Sequence, residues 1–185
     1  MIEKIKILTI GLFSLLGCGQ KNSLTQTDAE LVKKLNFNPE LMAELKDLTN
    51  SAFKQLPAID EETGDVLSDK FHAGIFSETT EEKAIQFVVL LKPKFKKNGY
   101  LIFVYEGGDY KKNVAVIKGQ DELDILRYRR TNGINYSLEN DDIVKKIIEW
   151  KTKYGLMVIG CGRDWLHLVF DKLPENLNAF AEEVY

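Results

Sequence analysis

The order of elements in the second half of the chain constrains its fold most. The strand-like stretch KFHAGIFS leads to a helical pattern at about residues 80–97, which precedes two more strand-like stretches, YLIFVYE and NVAVIK, with a turn at Gly107-Gly108-Asp109 between them. A second helical pattern, with Asn140 as its predicted cap, precedes LMVIGC and WLHLVF, with a turn at Gly162-Arg163-Asp164. Apolar residues at helical spacing predict helices, and strands separated by glycine turns predict hairpins. Two helix-plus-hairpin units predict an α+β fold in which helices pack on an antiparallel-rich sheet.

The residues before these units predict a short N-terminal helical segment at 28–57. Thr27 or Asp28 is a candidate N-cap, and Pro39 stands at a first-turn position of a second helix. The polar stretch PAIDEETGDVLSD predicts a loop that connects this segment to an α+β domain at 66–185. Pro174 is expected to open the last helix.

The N-terminus has the pattern of a secretory signal peptide at residues 1–17. Lys4 and Lys6 form a basic head, and the apolar run at 7–16 is shorter than the roughly 20 residues that a membrane-spanning helix needs. The sequence LLGC, which ends at Cys18, resembles the bacterial lipobox, whose cysteine is acylated and becomes the mature N-terminus. We therefore expect a lipid anchor on the periplasmic side of a bacterial cell envelope, with 18–27 as a polar tether. The alternative, a buried helix with a core cysteine, is disfavoured by the polar residues that follow.

Composition argues against several classes of partner. The chain has 25 Lys and Arg against 28 Asp and Glu, a formal net charge of −3, so it lacks the basic excess that nucleic-acid binding requires. Its two histidines are far apart in sequence, and no spacing matches a zinc site. We expect no nucleic acid, no metal and no cofactor.

One cluster of residues has the composition of a catalytic site. Cys161, Asp164 and His167 lie close together in sequence, and a thiol beside an imidazole is what a cysteine hydrolase or transferase uses. Strand alternation puts His167 and Trp165 on one face, opposite Leu166, but it does not fix the register of Cys161 across the turn. The alternative, favoured by the apolar strand before it, is that Cys161 is a small core residue.

The stretch RYRRTNGINYSLEN has the composition of a recognition loop. Its arginines concentrate positive charge beside an Asn-Gly turn, and its amides and tyrosine add hydrogen-bonding groups and a flat ring. Such a loop can bind the acidic patch of a partner protein. Alternatively, its asparagines form hydrogen bonds to the backbone where the two units meet. Trp165 is expected in the core, and if exposed it would form a binding site with Asp164. The candidate binding residues are Arg127, Arg129, Arg130, Thr131, Asn132, Asn135, Tyr136, Asp164 and Trp165.

The motifs TNGINY, IIEWKTKYG, VIGCGRDWLHLVF and LPENLNAFAEEVY occur in order within residues 117–185. Together they resemble the bacterial domain-of-unknown-function family 4253. The resemblance implies an α+β domain with no established activity, catalytic residues or cofactor. Family members usually continue past the last helix, so the resemblance implies either a truncated chain or a missing last layer, with an edge or face exposed that relatives cover. The matching residues are Thr131, Asn132, Gly133, Asn135, Tyr136, Trp150, Tyr154, Gly155, Gly160, Asp164, Trp165, Pro174, Phe180 and Ala181.

These patterns predict a membrane-anchored bacterial lipoprotein whose domain binds a protein partner and is not catalytic. A narrower version is an immunity-type protein that neutralises a toxin, by analogy with other small acidic envelope lipoproteins. The alternative is an envelope hydrolase or transferase that uses Cys161 and His167.

Acylation of Cys18 is tested by mass spectrometry of the mature protein. We expect Cys18 at the N-terminus with the added mass of several acyl chains, since one chain binds a bilayer only marginally. Labelling with a palmitate analogue should be lost in Cys18→Ala and retained in the matched control Cys161→Ala. A wild-type protein that retains Met1, or carries no acyl chain, would contradict the lipid anchor.

Overall fold

A six-stranded sheet forms the centre of the structure, and helices pack on both of its faces. The computed structural model describes residues 24–107 and 110–184. The predicted signal peptide, Cys18 and most of the predicted tether lie outside the described residues. The predicted α+β class, with helices packed on a mostly antiparallel sheet, is confirmed.

The described residues form six strands, six α-helices and one 3-10 turn. The strands are β1 (Phe53–Ile59), β2 (Val66–Ser77), β3 (Tyr100–Glu106), β4 (Lys112–Lys118), β5 (Leu156–Cys161) and β6 (Leu166–Phe170). The helices are α1 (Gln26–Lys34), α2 (Pro39–Thr49), α3 (Glu81–Lys97), α4 (Leu123–Arg129), α5 (Asn140–Tyr154) and α6 (Leu177–Val184), and the 3-10 turn is Ile134–Tyr136. Within the described ranges, no helix combines the length and apolar character that crossing a bilayer requires.

The strand order is β1-β2-β4-β3-β5-β6. Neighbouring strands are antiparallel except β3 and β5, whose short parallel pairing places Val104 opposite Gly160. A Cβ at Gly160 would lie 2.6 Å from the Cβ of Val104, so glycine allows the two strands to approach. This parallel pair joins the two helix-plus-hairpin units into one sheet.

Strand alternation divides the core into two layers. On one face, α1, α2 and α3 cover Ile102 and Val104. On the other face, α4, α5 and α6 cover Leu101, Phe103 and Tyr105. Both faces of β3 are therefore buried, which is why its sequence YLIFVYE is apolar at nearly every position.

Both predicted helix-plus-hairpin units are confirmed, and local signals set their helix ends. The Thr80 side chain caps α3 by accepting a hydrogen bond from the backbone of the first turn. A capping box between Glu139 and Asp142 begins α5, so the predicted cap at Asn140 is wrong by one residue. Gly155 ends α5 with a φ of 64°, a conformation that glycine adopts without strain.

The β1–β2 hairpin is where the structure departs most from the sequence-based prediction. The sequence predicts a helical segment up to residue 57, then a loop and one strand at KFHAGIFS, but residues 53–59 and 66–77 are paired strands. The pairing has two register irregularities, one on each side of Pro57. They interrupt the period-two pattern by which a strand is identified in a sequence.

Two predicted helix starts are also wrong. The N-cap of α1 is Thr25, rather than Thr27 or Asp28, and its hydroxyl accepts a hydrogen bond from the Asp28 N–H. The last helix begins at Leu177 rather than at Pro174, because the Asn176 side chain accepts a hydrogen bond from the backbone of its first turn.

Asp28 lies in a buried ion pair that joins α1 and α2 to the sheet. Its carboxylate is 2.7 Å from Lys46 Nζ, and the two side chains are 1% and 9% exposed. Asp28 also accepts hydrogen bonds of 2.8 Å from the Phe53 N–H and 2.7 Å from the Thr25 hydroxyl. Burial raises the pKa of Asp28, but these hydrogen bonds and the Lys46 charge outweigh burial, and the pKa is lowered from its usual value.

Asp28→Asn is expected to destabilise the fold by about 3–5 kcal/mol, because Lys46 would remain buried without its ionic partner. Since the pKa of Asp28 is lower in the folded state, its stabilising contribution is present near neutral pH and is lost as the pH falls through that value. Urea unfolding of wild type and variant should therefore give a larger difference in unfolding free energy at neutral than at acidic pH.

The control is Glu78→Gln, which removes the exposed ion pair between Lys54 and Glu78. Exposed pairs contribute little, so we expect a change below about 1 kcal/mol. Equal effects of the two substitutions, or a difference that grows in acid, would contradict the role of Asp28.

Candidate binding surface

Four chain segments meet at one end of the sheet, and we call this surface the loop end. It comprises the β1–β2 turn (residues 60–65), Gly107 and Tyr110 of the β3–β4 turn, residues 129–141, and the β5–β6 turn (residues 162–165). Two clefts open on this surface, and Gly64 lines both. The loop end is therefore continuous across segments that are far apart in sequence.

A buried arginine holds the four segments together. Arg129, the last residue of α4, is only 3% exposed. Its guanidinium donates a 3.0 Å hydrogen bond to the Gly64 carbonyl and lies 3.9 Å from the Glu106 carboxylate at the end of β3. Glu106 also accepts a 2.6 Å hydrogen bond from the indole N–H of Trp165. Because a buried charge requires partners, this cluster of Glu106, Arg129 and Trp165 fixes the segments relative to one another.

Two further hydrogen bonds connect residues 129–141 to the β5–β6 turn. The Thr131 hydroxyl donates to the Gly162 carbonyl at 2.7 Å, and Thr131 is buried. The Asn132 N–H donates to the Arg163 carbonyl at 2.9 Å. Of these two predicted binding residues, Thr131 therefore has a structural role beneath the loop end, whereas Asn132 also lines one of its clefts.

The predicted recognition arginines are largely bound within the protein. Arg129 is too buried to contact a partner, so the expectation that it recognises an acidic patch is wrong. Arg130 donates a 2.8 Å hydrogen bond to the Glu61 carbonyl of the β1–β2 turn. Arg127 is exposed but pairs with Asp121 and Asp124 at 2.9 and 2.6 Å, and it lines a different cleft. Two of the three arginines are therefore paired with carboxylates of the protein itself.

Asn140, rather than Asn135, forms the side-chain hydrogen bonds that hold the backbone in place where the two units meet. Its side-chain amide donates hydrogen bonds to the carbonyls of Leu126 at 3.0 Å and Thr131 at 2.8 Å, and it is 8% exposed. Asn135 is exposed in the 3-10 turn. The structural role that the sequence predicts for an asparagine is therefore present, but at another position.

Large apolar side chains are exposed at the loop end beside acidic groups. A bridge between Gly133 and Leu138 closes the 133–138 turn, which holds its side chains outward. An adjacent cleft of about 210 Å³ is lined by acidic residues together with Arg130. Apolar patches with a polar rim are typical of interaction sites. The exposed apolar residues are Tyr110, Ile134, Tyr136 and Leu138, and the acidic ones are Glu61, Glu62, Glu139 and Asp141.

The predicted pair of Cys161 and His167 is wrong, because their side chains lie on opposite faces of the sheet. A register irregularity in β5 pairs Cys161 with Leu166 and leaves His167 opposite Gly160. Cys161 is completely buried beneath α4 and α5, whereas the His167 ring lies 4.7 Å from the Trp165 ring on the other face. Burial raises the pKa of the Cys161 thiol to about 12, so the reactive thiolate does not form near neutral pH.

Trp165 packs against the layer beneath α1, α2 and α3, on the face that strand alternation predicts. It is partly buried, and Lys112 Nζ lies 4.6 Å from its ring centroid. Asp164 is exposed in the turn beside it. Trp165 therefore supports the loop end from below, while Asp164 lies on its surface.

The sequence does not single out Glu106, Tyr110 or Asn140 as site residues. A signal exists for Glu106, because an acidic residue that ends an apolar strand needs a partner when it is buried. Its partner belongs to a different element, which the sequence pattern does not identify. Within the described ranges, no group of His, Cys, Asp and Glu side chains could hold a metal ion.

The comparison with known families concerns the part of the chain that carries most of this surface. Residues 113–185 match DUF4253, a domain of unknown function. The match extends from β4 to α6, and it confirms the resemblance predicted for the C-terminal part. The DUF4253 region includes Arg129 and Asn140 but not Gly64 or Glu106, so the loop end combines it with the preceding residues. Searches of curated proteins and of solved structures found no significant match.

Asn140→Ala is expected to lower the free energy of unfolding by about 1–3 kcal/mol, because the Thr131 carbonyl loses its donor, whereas the Leu126 carbonyl still accepts the Arg130 N–H. The matched control Asn135→Ala should change it by less than about 0.5 kcal/mol, because the side chain is exposed. Urea unfolding measures both. A larger loss for Asn135→Ala than for Asn140→Ala would contradict the assignment.

Proposed function

We propose that this protein is a membrane-anchored bacterial lipoprotein whose domain binds a protein partner through the loop end and catalyses no reaction. The observation that carries the binding role is the exposure of two tyrosines, Tyr110 at 77% and Tyr136 at 68%, on this surface. The lipid anchor rests on the LLGC sequence that ends at Cys18.

The construction of the loop end supports a binding role. Tyrosine contributes a large contact area with few rotatable bonds, which limits the entropy lost on association. The turn that carries Tyr136 is closed by the bridge between Gly133 and Leu138. The Asn132 N–H before it donates to the Arg163 carbonyl, so this turn is ordered before a partner binds. A preorganised surface with exposed aromatic groups favours affinity for a protein.

Charge at the loop end favours a basic partner over the acidic one expected from the arginines. Four carboxylates line the cleft beside the 133–138 turn, and the guanidinium of Arg130 in the same cleft already donates to a backbone carbonyl. Complementary potentials steer association and disfavour partners of like charge. The partner surface should therefore carry lysine or arginine.

The separation of Cys161 and His167 supports a non-catalytic role, since neither residue can activate the other across the sheet. The immunity-type function remains a narrower prediction within this proposal. It requires that the basic partner be a toxin.

Site-specific photocrosslinking in cells tests the binding surface. A photoreactive amino acid in place of Tyr136 of the full-length lipoprotein should give one dominant adduct, because Tyr136 is exposed at the loop end. The control position is Leu90, which is 65% exposed on α3 and should give no such adduct. Equal yields from the two positions, or no adduct from Tyr136, would contradict the proposal.

The same assay tests the charge of the partner. Reversal of Glu61 and Glu62 to lysine in the crosslinking protein should reduce the Tyr136 adduct several-fold. Reversal of Glu30 and Glu40, which lie on α1 and α2, changes the net charge equally and should leave the yield unchanged. A higher yield after reversal of Glu61 and Glu62 would indicate an acidic partner.

A further inference from the structure

A cleft of about 380 Å³ lies beside the loop end, on the face of the sheet that α4 and α5 also occupy. It shares Val66 and Gly107 with the cleft that Tyr110 lines. The cleft is therefore continuous with the proposed binding surface.

The irregular part of the β1–β2 hairpin lines this cleft. Phe71 and Phe76 are an odd number of positions apart on β2, so a regular strand would place them on opposite faces. The irregularities on either side of Pro57 shift the register, and both rings line the cleft. Phe71 is 58% exposed, whereas Phe76 is partly buried and lies 5.7 Å from the Tyr105 ring. The cleft thus has aromatic walls, one exposed and one within the structure.

The cleft is also lined by a buried polar group with unused hydrogen-bonding capacity. Asn113, opposite Tyr105 in the β3–β4 pairing, is only 4% exposed. Its side-chain N–H donates to the Lys111 carbonyl at 3.1 Å, but no hydrogen bond from the described residues reaches its Oδ1. Buried acceptors are usually paired, so an orphaned one beside a cleft is typical of a position that a ligand donor can occupy. Apolar walls with a few converging polar groups are the usual composition of a binding cleft.

We propose that this cleft binds a tyrosine or tryptophan side chain of the partner polypeptide. The ring lies between Phe71 and Phe76, and its O–H or N–H donates to Asn113 Oδ1. This inference rests on the proposed function, because it identifies the anchoring residue of the partner that binds the loop end. An aromatic side chain in a pocket at the centre of an interface is the usual form of a binding hot spot.

Two amino-acid amides test the cleft without knowledge of the partner. N-acetyl-tyrosinamide carries the donor, and N-acetyl-phenylalaninamide is the matched probe without it. Binding to the full-length protein in lipid nanodiscs is measured by saturation-transfer NMR, with affinities expected in the millimolar range for a single side chain. Wild type should prefer the tyrosine probe by about tenfold, because only this probe can pair with Asn113.

Two variants distinguish the contribution of the hydrogen bond to Asn113 from that of the contact between the probe ring and Phe71. Asn113→Leu should bring the ratio of the two affinities close to one while binding of the phenylalanine probe is retained, which also shows that the cleft is intact. Phe71→Ala should weaken both probes by a similar factor, and its exposure makes loss of the fold unexpected.

The inference is overturned if neither probe binds wild type or if the preference for tyrosine survives in Asn113→Leu. It is also overturned if p-cresol, a free phenol, binds at this cleft while the tyrosine probe does not, since the cleft would then take a small molecule. If the probes do not bind the cleft as expected but position 136 still crosslinks to a partner, only this inference is refuted. If the probes bind as expected but position 136 gives no crosslink, the proposed function is refuted instead.

Discussion

The buried pair of Glu106 and Arg129 is the interaction on which the loop end depends. Glu106 ends the central strand β3, whose two faces are both covered by helices, so its carboxylate has little access to water. The guanidinium of Arg129 and the indole N–H of Trp165 are the partners that make this burial tolerable. Through the Gly64 carbonyl, the same guanidinium also fixes the β1–β2 turn. One cluster therefore determines the position of turns from both halves of the chain.

Because the arginines of residues 127–130 are bonded within the protein, other side chains determine what the loop end can bind. Arg127 pairs with two exposed aspartates and Arg129 with the buried Glu106, while Arg130 donates to a backbone carbonyl. Exposed carboxylates and tyrosines remain on the surface. The proposed basic partner rests on these exposed carboxylates, whereas the arginines of residues 127–130 by themselves indicate an acidic partner.

The elements that the sequence predicts correctly are those with strong local signals. Both helix-plus-hairpin units have amphipathic helices and glycine turns, and the face of Trp165 follows from simple alternation in β6. The errors occur where alternation is interrupted. Irregular register hides the β1–β2 hairpin, and a second irregularity in β5 moves Cys161 to the face opposite His167. No local pattern reports such a shift, because it depends on the partner strand.

Buried polar residues account for the other differences. Asp28 and Asn140 are residue types that often cap helices. In the structure, however, Asp28 pairs with Lys46, and Asn140 donates to the carbonyls of Leu126 and Thr131. Glu106 and Arg129 likewise find each other only in three dimensions. Sequence identifies which side chains are able to form such bonds, and the fold selects their partners. The composition of residues 127–136 therefore shows which side chains can form hydrogen bonds and ion pairs, but not which partners they have.

A double-mutant cycle on Glu106 and Arg129 measures most directly whether their interaction holds the loop end together. Each single change, Glu106→Gln or Arg129→Met, leaves the other charge buried without its ionic partner and should cost about 3–5 kcal/mol in urea unfolding. The double variant removes both charges, so its loss should be smaller than the sum of the single losses by about 1–3 kcal/mol. Losses that add within about 0.5 kcal/mol would show that the two residues are energetically independent and that the loop end is held by other contacts.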